Sequence, residues 1–170
     1  MAEAANQQPP AYNNPQPFQT PQGFVLDRVF EDPATGYKAV AYINPETNEL
    51  LFAQAGTDGL NSQDWAGNAL HTGINQWENN QANVLSYLES RMLADPSTRL
   101  IVAGQSLGGA LGDFTAHDVI RDLSQTTAFD PSRVALVTFN GSASEYALKA
   151  RAANNPDDPN CAYAPSAVAD

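Results

Sequence analysis

The chain has 170 residues, 42% of them hydrophobic, enough for one sizeable core and too few to argue for two folded domains. Nineteen acidic side chains against eight basic ones leave a net charge of -11, which argues against charge-driven binding to nucleic acid or to an anionic membrane surface. Cys161 is the only cysteine, so no intramolecular disulfide can form, and no apolar run reaches the roughly 18 residues of a membrane-spanning helix.

In chain order, the N-terminal stretch 1–22 is rich in Pro, Gln and Asn and poor in aliphatic residues, which predicts a disordered leader ahead of a folded domain over 23–170. It has neither a basic n-region nor an apolar h-region. A standard secretory signal is therefore not expected; the sequence leaves the compartment unknown, with the cytoplasm and export by a non-Sec route both open. The runs at 24–30, 37–43 and 50–55 read as strands, and the "NPETNE" between the last two suits a hairpin turn. From about residue 62 the period becomes helical. Ile74, Trp77, Val84, Leu85, Leu88 and Met92 fall near one face of a helix that stops before "DPS". A buried strand at 99–104, a helix from Leu107 to about Leu123, a strand at 133–139 and a helix from Ser144 to Ala153 complete the prediction. Strands alternating with helices imply right-handed crossovers and parallel pairing, so the expected fold is an α/β sandwich with an antiparallel N-terminal hairpin.

Between the strand at 99–104 and the helix that follows lies "IVAGQSLGGAL", in which Gly104, Ser106 and Gly108 spell G-x-S-x-G. Small residues flanking a serine allow the tight turn that lifts a hydroxyl out of a sheet, and the helix start directs free N–H groups toward it. Leu107 N–H is the natural first donor to an oxyanion formed there.

"GQSLGGAL" followed by "GDFTAHDV" resembles the nucleophile segment of the class 3 lipases, the fungal lipase-like α/β-hydrolases. "LFAQAGTDGLNSQDWAGNAL" (51–70) is similar to that family's strand ending in R-G-T or R-G-S, and "VALVTFNGSAS" (134–144) to its V-x-T-F-G-x-P strand. The resemblance implies an α/β-hydrolase-like three-layer sandwich with a mostly parallel sheet, truncated at the C-terminus. It also implies a serine hydrolase that cleaves carboxylic esters of lipids or small molecules through an acyl-enzyme on Ser106, with Thr57 and Leu107 as the oxyanion hole. Each such donor is worth about 3 kcal/mol in the transition state. Asp58 and Asp64 read as caps of the helix carrying Trp65, itself a core residue. Two positions depart from the family: Ala55 replaces the arginine before G-T, and Gln105 replaces the histidine before the serine, where a packed hydrogen-bonding side chain is expected.

A base and an acid are harder to place. His117 lies eleven residues along the nucleophile helix, roughly 16 Å from Ser106 at 1.5 Å per residue, too far to act on it. His71 precedes the elbow, where a base departs from the family pattern. Asp170 lies 64 residues past the serine, roughly where the resemblance puts the acid, and the sequence offers no histidine beyond it. The missing base would come from continuing sequence or from a partner chain, and without it the isolated chain would be a poor catalyst. No cofactor or metal is implied, since no H-x-x-x-H or C-x-x-C spacing occurs. The rival readings are a non-catalytic fragment or pseudoenzyme acting in binding or assembly, and a patatin-like Ser-Asp hydrolase. The latter needs a glycine-rich oxyanion loop that the sequence lacks.

Overall fold

A computed structural model describes residues 20–56, 65–126 and 128–139, with side chains in the first helix given from Gly73 onward. Three antiparallel strands open the fold: β1 (Val25–Asp32), β2 (Tyr37–Asn44) and β3 (Glu49–Gln54), adjacent in sequence order. Their turns follow from side-chain chemistry. After β1 the Asp32 carboxylate accepts from Thr35 Oγ1 at 2.6 Å and from Ala34 N–H at 3.0 Å, and Gly36 supplies the positive φ of 74°. These bonds, Thr35's foremost, hold the Asp32 carboxyl below its ordinary range. After β2, Asn44 Oδ1 accepts from Glu46 and Thr47 N–H at 3.0 and 3.3 Å, which makes "NPETNE" the hairpin turn the sequence predicts. Strand β1 extends that hairpin on its outer side.

The chain then turns parallel. Helix α1 (Trp65–Ala94) leads to β4 (Arg99–Gln105), which pairs parallel to β3, and helix α2 (Leu107–Thr126) leads through a short 3-10 turn (Pro131–Arg133) to β5 (Val134–Phe139), parallel to β4. Both crossovers advance the chain one strand in the same direction, so right-handed connections put α1 and α2 on one face of the sheet. The buried side chains agree: Trp77, Leu88 and Met92 of α1 and Leu111, Phe114 and Leu123 of α2 share a core with Phe30, Phe52 and Val102. The opposite face carries a second apolar cluster of Val40, Tyr42, Leu51, Ala53 and Ala103. The helix expected at Ser144–Ala153 and residues 1–19 of the expected leader lie outside the described residues.

Two polar anchors join these layers. Asp118, fully buried on α2, accepts from Trp77 Nε1–H at 2.7 Å and from Arg121 at 2.9 Å, so its charge is neutralised where it ties the helices together. Arg133 donates to Met92 O at 2.9 Å, in the last turn of α1, and to Asp95 O at 3.1 Å just past it, setting a cation suited to the helix dipole at that end. Among the described residues no helix is long and apolar enough to cross a membrane.

Candidate active site

Ser106 is the single residue between β4 and α2, and it has φ 55°. For an L-residue with a side chain, the left-handed region costs roughly 1–2 kcal/mol. Among the described residues the other non-glycine residue in this region is Asn48, φ 56°, whose side chain donates to Asp95 Oδ2 at 2.9 Å and Ser97 Oγ at 2.6 Å. Asn48 thus recovers its strain through a structural role. Ser106 shows no such return: among the described residues its hydroxyl has no hydrogen-bond partner, while its N–H donates to Phe139 O at 2.9 Å and its carbonyl accepts from Gly109 N–H at 2.9 Å. The backbone is fastened on both sides and the side chain is left over.

Both flanking glycines are required by close approach. A Cβ on Gly104 would stand 2.0 Å from Gly108 O, and one on Gly108 would stand 2.3 Å from Gln54 O. The first turn of α2 is therefore laid directly on β4 and on the end of β3. Leu107 opens the helix, so its N–H is among the first-turn donors that the helix cannot satisfy internally. No acidic residue sits in that turn to oppose the positive end of the dipole.

Strand β3 brings a second segment to the same place. A Cβ on Gly56 would lie 2.9 Å from Gln105 O and 3.7 Å from Ser106 Cβ, so the backbone immediately before Thr57 runs against the serine turn. Thr57 itself, Asp58, Asp64 and Asp170 lie outside the described residues, as do the side chains of Trp65 and His71 on α1. Further along that helix Gly73 packs on Leu107, with a Cβ there 3.1 Å from Leu107 Cδ1. His117 Nδ1 is 2.9 Å from Asp118 Oδ1, engaged in the anchor between helices, as expected of a satisfied histidine.

One expectation is corrected. Gln105 is exposed, not packed. It follows Gly104, the last β4 residue paired with β3, and its one ladder partner, Phe139, is itself 52% exposed, so no strand covers it on the β3 side. Sequence reasoning also missed the buried polar residue Gln54, whose signal was one amide in the otherwise apolar run "LLFAQA". Among the described residues no cluster of His, Cys, Asp and Glu is arranged to hold a metal ion.

Comparison with known families matches residues 39–151, more than half of the chain, to Lipase (class 3). The chain belongs to the class 3 lipase family. Solved structures agree on the fold. A deletion mutant of the Rhizomucor miehei lipase propeptide complex matches with a TM-score of 0.58 at 14% identity, over 69% of this chain and 40% of that one. The lipase from Rhizopus microsporus var. chinensis gives 0.57 at 16% identity, over 68% of this chain and 44% of its own. A fungal lipase-inhibitor complex gives 0.57 at 14%, over 69% and 48%. At these identities the likeness is one of fold, the α/β-hydrolase fold, and this chain spans less than half the length of each of those lipases. A search of curated proteins returned no match. The expected fold class and family are therefore both borne out.

Proposed function

We propose that this class 3 lipase family member is a serine hydrolase of carboxylic esters, working through an acyl-enzyme on Ser106. The observation that carries the reading is the positive φ of Ser106, with its side chain free among the described residues and the Gly56 backbone against it. In the reaction Ser106 Oγ attacks the ester carbonyl carbon while its proton passes to a base. The carbonyl oxygen becomes an oxyanion that accepts from Leu107 N–H and from Thr57. Collapse expels the alcohol, which takes up a proton, and water then releases the acid from the serine.

Lipid or small-molecule esters fit this chemistry, and it needs no cofactor. His71 is one candidate for the base and Asp170 for the acid; the other source of a base is a histidine on continuing sequence or on a partner chain. The rival reading, a non-catalytic binding or assembly module, draws on the only described histidine side chain, His117, being bound to Asp118. A soluble base separates the two. Hydrolysis of p-nitrophenyl butyrate by the 170-residue chain is expected to rise with added imidazole to roughly tenfold or more above that of Ser106→Ala. That lies below the ~10²–10⁴ of a positioned general base. Equal rates for the two proteins at every imidazole concentration would favour the module.

A further inference from the structure

Gln54 ends β3 and is completely buried, an unusual place for a primary amide unless every polar atom is matched. Its Oε1 accepts from Tyr37 OH at 3.0 Å, and its Nε2 donates to Thr115 Oγ1 at 3.0 Å, which in turn donates to Leu111 O at 2.9 Å. The direction of this chain is fixed from both ends. Burial pushes the Tyr37 phenol well above its ordinary range, so it stays protonated and must donate, and the Thr115 hydroxyl proton is already committed to the helix carbonyl. The amide can therefore sit only one way round.

Its location gives this clamp a consequence. Gln54 is the last β3 residue in register with both neighbours, Ala39 of β2 and Gly104 of β4. Two residues later Gly56 abuts the serine turn, and Thr57 follows. On the other side, Thr115 lies two helical turns after Gly108, on the same face of α2, and Gly108 rests on the Gln54 carbonyl. The amide thus fastens the end of the strand that leads to one proposed oxyanion donor to the helix whose first N–H is the other.

We propose that Gln54 is a positioning residue: through Tyr37 and Thr115 it fixes the separation between the end of β3, which leads to the proposed donor Thr57, and the start of α2, which carries the other. This rests on the ester-hydrolase reading above. A well-satisfied buried network rigidifies what it joins, and donors that must converge on one oxygen lose their effect when their separation wanders. An apolar side chain of the same size would pack β3 as well and leave that separation loose.

The test measures phosphonylation of Ser106 by a fluorophosphonate in the 170-residue chain with imidazole present, resolving the maximal rate from the half-saturating concentration. Gln54→Met and Thr115→Val are expected to slow the maximal rate about tenfold, a fraction of the ~10²–10³ lost with a whole donor, and to leave the half-saturating concentration within about twofold. Thr115→Ser, which keeps the hydroxyl, restores the rate. Val84→Ala, a truncation in the core on α1 that removes none of the clamp's hydrogen bonds, lowers thermal stability and leaves the rate unchanged. If wild type labels and Gln54→Met labels as fast, or if Val84→Ala slows labelling as much, the positioning role is overturned and the hydrolase reading stands. If wild type yields no Ser106 adduct, both fall.

Discussion

Ser106→Gly is expected to be more stable than wild type while losing all covalent chemistry. Relief of the left-handed backbone at φ 55° contributes roughly 1–2 kcal/mol, and the extra freedom of glycine in the unfolded chain returns about 0.5–1 kcal/mol of that. The first effect wins by about 0.5–1 kcal/mol, because the serine hydroxyl has no hydrogen bond among the described residues to surrender and the backbone bond from Ser106 N–H to Phe139 O survives. Asn48→Gly is the internal control. It relieves the same strain but gives up the bonds to Asp95 and Ser97, so no gain in stability is expected there. Imidazole-assisted ester hydrolysis should fall by roughly tenfold or more in Ser106→Gly, to the level of Ser106→Ala, once the nucleophile is absent. Urea unfolding of the two glycine variants beside wild type reads the balance directly. A Ser106→Gly protein less stable than wild type would mean that the serine serves the fold rather than a reaction.

Gly104→Ala should be the most damaging added methyl group among the described glycines. Its Cβ would stand 2.0 Å from Gly108 O, 2.3 Å from Gly108 C and 2.7 Å from Gly109 N, all backbone atoms that cannot rotate aside. Relief requires the start of α2 to lift off the sheet. That start is seated on Gln54 O through Gly108 and held at depth by Phe114 and Leu111 in the core. The expected loss is roughly 3 kcal/mol or more, a fall in Tm of about 6–12 °C for a domain of this size. Trp77, buried between the helices, reports the transition by fluorescence. A loss below about 0.5 kcal/mol would mean that β4 and α2 are not packed as closely as the elbow demands.

Local pattern made much of this fold readable from sequence. The apolar positions from Trp77 to Met92 repeat at helical spacing and are buried together, and "NPETNE" carries the asparagine that closes its own turn. Gly104 and Gly108 announced a tight strand-to-helix turn because only a missing Cβ permits it. What stayed hidden depends on partners far along the chain. Gln54 meets Thr115 across 61 residues and Trp77 meets Asp118 across 41, and no periodicity encodes either meeting. Gln105 was misjudged for the same reason, since its exposure is set by where the β3 ladder stops and not by its own neighbours in sequence.

The account turns on whether the oxygen at the β4–α2 junction reacts as a nucleophile. Treating the 170-residue chain with a fluorophosphonate in the presence of imidazole, followed by peptide mass mapping, answers this most directly. The expected result is one adduct, on the peptide containing Ser106, absent from Ser106→Ala. A chain that stays unmodified, or whose label is scattered over other hydroxyls and persists in Ser106→Ala, would contradict it.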